Sequence, residues 1–144
     1  MHLDYRLNED RETDWSSVTE EDLRYRVALG KLVFHVGDKD FSADWSWIPL
    51  VDLAASFAEI VRKLEGGSDS ETFEFTESDA WVRFERKGEK VLVSTSYGEG
   101  VGEIALHAAS QAVKSFRERL RSDLVRQHPQ AAHNAAVKRL LGPV

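Results

Sequence analysis

The sequence predicts an α+β domain, a single antiparallel sheet of about six or seven strands with two amphipathic helices packed on one face. Three observations predict it. Apolar and polar residues alternate in several short runs, the period of a half-buried strand. Two longer stretches repeat their apolar residues at helical spacing instead. The connections are short and rich in Gly and Asp, which joins neighbouring strands antiparallel. The expected order is four strands, a helix, three strands and a second helix, in one domain spanning residues 1–144.

Leu3–Leu7 is the first expected strand, at the sheet edge. Residues 1–22 form an acidic N-terminal segment whose loop carries two overlapping helix-start patterns, Ser17-x-x-Glu20 and Thr19-x-x-Asp22. The second is the weaker capping box, because Asp replaces the usual Glu or Gln. An exposed loop with one helical turn is expected there. Leu23, Tyr25, Val27 and Leu29 then alternate with Arg24, Arg26 and Ala28, predicting a strand, and Gly30-Lys31 suits a type II′ hairpin turn. The return strand places Leu32, Phe34 and Val36 on one face, with Lys31, Val33 and His35 on the other. "GDKD" at 37–40 turns the chain into a fourth strand through Phe41, Ala43 and Trp45.

Leu50, Leu53, Phe57, Ile60 and Leu64 mark the buried side of a helix, and Asp52, Glu59, Arg62 and Lys63 fall mostly on the other. Its start is expected in "ADWSWIP", with Ser46 as N-cap and Trp45 and Leu50 as the ends of a hydrophobic staple. Trp47 then packs the first turn or lies at its edge. "GGSDS" ends the helix. Strands follow at Thr72–Thr76, Ala80–Arg86 and Lys90–Tyr97, the last two joined by "RKGEK". Leu106, Ala109, Val113, Phe116, Leu120 and Leu124 predict a long helix beginning near Glu103. His128-Pro129 ends it, since the residue before proline is pushed out of the α region. Residues 129–144 are expected as a tail or short helix.

Composition narrows the chemistry. The 144 residues contain no cysteine, which excludes disulfides, thiol nucleophiles and cysteine-ligated metals. The net charge of −6 argues against nucleic acid as a partner, since that affinity rests on neutralising phosphates. The acid is concentrated in residues 1–25 and the base in residues 110–144. No run approaches the ~20 apolar residues of a membrane span. Charged residues at the N-terminus replace the apolar core of a signal peptide, so a cytoplasmic location without membrane attachment is expected.

No motif assigns a catalytic residue, a cofactor or a metal ligand. "YGEGVGE" at 97–103 has its glycines in the wrong spacing for a dinucleotide fingerprint, and its glutamates would repel phosphate; it is expected as a flexible connection. The five histidines include no His-Glu-x-x-His helix, and no Gly-x-Ser-x-Gly elbow occurs. "AWVRFERK" is more informative. With Val82 and Phe84 facing the core, Trp81, Arg83 and Glu85 share the opposite face, and together with Trp47 they are the candidate partner-binding residues. Trp15, isolated in the acidic loop, is expected to dock that loop onto the domain.

The strand pair "LRYRVALGKLVFHV", the tryptophan-led helix "WSWIPLVDLAASFAEIVRKL" and the strand set "FEFTESDAWVRFERKGEKVLVSTSY" together resemble, in layout, small bacterial immunity proteins that protect producers of contact-delivered toxins. They also resemble uncharacterised actinobacterial proteins of similar size. The resemblance covers about half the chain and carries no diagnostic motif. It implies a non-enzymatic binder that neutralises a protein partner, and the acidic surface suits a basic toxin domain. The rival expectations are a small-molecule-binding protein or enzyme with a cavity between sheet and helices, and a chaperone or adaptor forming a homodimer through the 103–127 helix.

Overall fold

A computed structural model describes residues 1–142; Pro143 and Val144, the end of the expected 129–144 segment, lie outside the described residues. The elements run β1 (His2–Leu7), α1 (Glu20–Tyr25), β2 (Leu29–Val36), β3 (Lys39–Asp40), β4 (Ala43–Pro49), α2 (Leu50–Glu65), β5 (Ser70–Glu74), β6 (Trp81–Lys87), β7 (Lys90–Thr95), β8 (Gly102–Ala105), α3 (Leu106–Gln127), a 3₁₀ turn (Pro129–His133) and α4 (Ala135–Leu141). The expected α+β class and antiparallel pairing are present. The strands do not form one sheet of six or seven, however. They form two four-stranded sheets: β1 and β4 pair with opposite edges of β2, with β3 as a short hairpin extension, and β5-β6-β7-β8 is a meander.

Short loops determine pairing only between neighbours in the chain. The 16-residue α2 separates β4 from β5, so nothing local joins the two strand groups. What joins them is a shared core. Leu32, Phe34 and Val36 of the first sheet and Phe73, Val82, Phe84, Val91 and Val93 of the second are buried in one cluster with α2 and α3. Phe57 of α2 stands between them, its ring 5.8 Å from Phe34, 5.4 Å from Phe73 and 5.2 Å from Phe84.

Four local expectations are corrected. Of the strand expected over residues 23–29, only Leu29 is in a strand, as the first residue of β2. Thr19 caps α1 through both bonds of the Thr19/Asp22 box, and three acids fill its first turn, favourable at a helix N-terminus. Leu23 and Val27 are four residues apart, so their spacing serves a helical turn as well as alternation. The chain then reverses at Ala28, which adopts φ 54°, and Gly30 lies inside β2, paired with Leu7 and Ile48, rather than in a hairpin turn.

Ser46 is not a helix cap, and Trp45 and Leu50 form no staple. β4 continues through Pro49, which is itself the N-cap and supplies no side-chain bond. The Leu50 N–H instead donates to the Ala28 carbonyl at 3.2 Å. Residues 102–105 are the strand β8, and the long helix begins only at Leu106. The apolar stripe of α3 is as expected, with Leu106, Ala109, Val113, Phe116, Leu120 and Leu124 all buried.

The glycines of 97–103 have a packing role. A Cβ on Gly102 would stand 2.6 Å from the Val36 carbonyl oxygen and 2.7 Å from its Cβ, and one on Gly98 would meet the Phe41 ring at 2.8 Å. The segment therefore lies flush against the first sheet, and the Tyr97 hydroxyl donates to the Phe41 carbonyl at 2.8 Å. Gly102→Ala is expected to destabilise the fold by roughly 1–3 kcal/mol through overpacking. Gly66→Ala meets only ordinary contacts at 3.5 Å and should unfold within about 0.5 kcal/mol of the parent. Urea denaturation of the two variants measures the difference.

Candidate functional site

β6 alternates as its sequence requires. Val82 and Phe84 are buried, while Trp81, Arg83 and Glu85 are half-buried on the outer face of the second sheet. The antiparallel register sets their neighbours. Trp81 lies opposite Glu74, Arg83 between Thr72 and Ser94, and Glu85 between Ser70 and Leu92. The Arg83 guanidinium carbon sits 4.5 Å from the centroid of the Trp81 ring, a cation–π contact that orders both side chains. Ser70, Thr72 and Glu74 beside them are exposed, so this face is open to solvent.

Trp47 is not part of that patch. It stacks on Trp45 with ring centroids 5.4 Å apart and planes 3° from parallel. Trp45 also meets Phe75 edge-on at 5.4 Å and Tyr97 at 5.0 Å. Phe75 is buried on the inner side of the second sheet, so the tryptophan pair bridges the two sheets while Trp81 faces away from them. The pair is placed by an irregularity in β4. Between the pairs Leu32–Ala43 and Gly30–Ile48 the register shifts, and residues 44–47 bow out of the ladder. Alternation alone did not reveal that excursion.

Sequence reasoning also misplaced one titratable residue. Asp52 was expected on the polar side of its helix, but it is 8% exposed and its Oδ1 accepts from Arg24 Nη1 at 2.5 Å. Burial pushes its carboxyl above the ordinary carboxylate range, and the bond and charge of Arg24 oppose that shift without cancelling it. The available signal was its setting, one acid within the apolar run Leu50–Ala54. A hollow of about 390 Å³ lies beside this pair, between α2 and β5.

A second hollow, of about 240 Å³, lies under the acidic loop, with Asp10, Arg26 and His128 among its walls. Its floor includes Trp15, which is buried as the docking residue of that loop and stacks on His128 at 4.9 Å. The Trp15 indole N–H has no hydrogen-bond partner among the described residues. No group of three or more candidate metal ligands occurs among those residues, and none of their helices is long and apolar enough to cross a membrane. The apolar stripe of α3 is used within the chain's own core, leaving His107, Gln111, Lys114 and Glu118 outward as a polar surface.

Comparison with protein-family models, with curated proteins and with solved structures finds no match. The site has therefore to be judged by its own geometry.

Asp52 provides a pH test. Its folded-state pKa is raised, so the folded chain holds the proton more tightly than the unfolded chain does. Its contribution to stability is thus lost as pH rises above the ordinary carboxylate value of about 3.9. Asp52→Asn keeps the shape and removes the titration. Chemical denaturation of both proteins through the mildly acidic range should show the parent losing stability relative to the variant as pH increases.

Proposed function

We propose that the chain is a non-enzymatic protein-binding module whose working surface is the outer face of the second sheet around Trp81, Arg83 and Glu85. The observation that carries the reading is the Trp81–Arg83 stack, half-exposed on an open sheet face at the start of the inner strand β6. Tryptophan and arginine are the residue types that most often dominate interfaces. Their stacking means that little side-chain freedom is left to lose on binding. Glu74 and Glu85 border the stack, Glu103 lies two strands away on β8, and the chain carries −6 overall, which favours a basic partner. An immunity-like inhibitor of a basic toxin domain, acting in the cytoplasm, is the form of this function that the layout resemblance suggests. Trp47 contributes by holding the sheets together rather than by touching the partner.

A small-molecule site is the second reading, and the 240 Å³ hollow bounded by Asp10, Arg26 and His128 favours it. The two readings separate by mutation. Trp81→Ala should weaken capture of the cognate basic protein by about tenfold or more, roughly 1.4 kcal/mol, with the melting temperature unchanged. His128→Ala should leave capture intact. Equal loss of partner binding and of folding in Trp81→Ala would remove the face from consideration.

A further inference from the structure

A second binding feature lies at the edge of the same sheet and does not depend on the Trp81 face. In an antiparallel ladder, residues alternate between bonding the neighbouring strand and pointing their N–H and C=O groups away from it. Arg86 N–H donates to Asp69 O at 2.9 Å and Phe75 N–H donates to Ala80 O at 3.0 Å. The residues of β5 that bond β6 are therefore Glu71 and Phe73, and the groups of Ser70, Thr72 and Glu74 point outward. The Ser70 carbonyl accepts from Ser68 Oγ at 3.3 Å. Thr72 and Glu74 make no hydrogen bond across this edge among the described residues.

Two other edges are partly covered. On β1, whose main-chain groups at Leu3, Tyr5 and Leu7 point outward, Arg119 of α3 donates to the Leu3 carbonyl at 2.6 Å, and the Tyr5 hydroxyl donates to the Asp123 carboxylate, which holds α3 alongside. β8 is pressed against the first sheet, with Gly102 on Val36 and the Glu103 carbonyl beside Gly37. β5 combines an open edge with a hollow alongside it. That hollow, about 390 Å³, has Ile60 and Phe73 as apolar lining, the Arg24–Asp52 pair, and Lys63 beside Glu71 at 3.8 Å. The stretch of α2 from Asp52 to Lys63 spans about 16 Å, matching about five residues of extended chain.

We propose that the free edge of β5 and the hollow beneath α2 bind an extended basic peptide segment as a fifth strand of the second sheet. Main-chain bonds to Thr72 and Glu74 would give affinity, and alternate side chains would fall toward Ile60 and Phe73 or toward the outer face. Charge selects the occupant. Asp69, Glu71 and Glu74 line the edge with no base in the strand itself, and Glu74 has no ion-pair partner among the described residues. A second copy of β5 would bring carboxylates against carboxylates, whereas a lysine-bearing segment is attracted. The same acids protect an open edge from self-association while leaving it available to a basic strand.

The test uses the full chain and an end-capped heptapeptide of alternating valine and lysine. At about 1 mM peptide, hydrogen exchange at the Thr72 and Glu74 amides should slow by about tenfold or more. A peptide with glutamate in place of lysine should protect neither amide. Thr72→Pro removes an outward donor without breaking the β5–β6 ladder and should weaken binding by about tenfold. N-methylating the peptide amides that face β5 should do the same with the parent protein, so a misfolded variant does not decide the matter. Unchanged exchange at both amides overturns the proposal, as does equal protection by the glutamate peptide or binding indifferent to N-methylation. Trp81→Ala should leave peptide binding within about twofold. Protection that appears only around Trp81 would overturn the edge site while leaving the Trp81 face standing.

Discussion

Phe57 touches an aromatic ring from each sheet, and most of the architecture depends on that contact. Phe34 approaches from β2, and Phe73 and Phe84 approach from β5 and β6, all within 6 Å between centroids. Each sheet has one apolar face, and α2 shares the covering of both with α3. α2 must therefore present apolar residues to both, and its buried set includes Leu50, Val51, Leu53, Ala54, Phe57, Ile60, Val61 and Leu64. That stripe is wider than a helix needs against a single sheet. The same demand explains why Asp52 is buried, since the first turn of α2 has little polar side left. Arg24 from α1 supplies the partner that a buried carboxylate needs.

A second constraint ties the ends of the chain. Asn134 caps α4 through its carboxamide oxygen, while its Nδ2 donates to the Trp15 and Val18 carbonyls at 3.1 and 2.8 Å. One buried side chain thus starts the last helix and holds the acidic loop in place. Arg139 with Glu20 and Arg119 with Asp4 add ion pairs between the acidic and basic segments. These pairs are exposed and contribute little individually. The acidic and basic ends of the chain are neighbours in the fold at these pairs.

The outer face of the second sheet and its edge are where an interaction function fits. Trp45 and Trp47, prominent in the sequence, bridge the two sheets and are committed to the fold. Trp81, with less to distinguish it in the sequence, is the tryptophan whose ring meets solvent beside a stacked arginine. The edge of β5 adds a kind of recognition that side chains do not encode, because its free groups are main-chain N–H and C=O.

By itself the sequence determined the local periods. Alternation in 81–86 set which residues of β6 face inward, and the spacing from Leu106 to Leu124 set the buried stripe of α3. These follow from strand and helix geometry within one segment, which is why they were legible. Residues 23–28 were misread because Leu23 and Val27 satisfy both periods, and the Thr19 cap settles the choice. Tertiary structure alone decided that the strands divide into two sheets, that 44–47 bow out so that Trp45 and Trp47 stack, and that Gly98 and Gly102 permit close approach. It also decided which strand edge stays open. Each of these depends on which surfaces meet across long chain separations, and that is set by jointly burying the apolar faces of both sheets on α2 and α3 rather than by any local pattern.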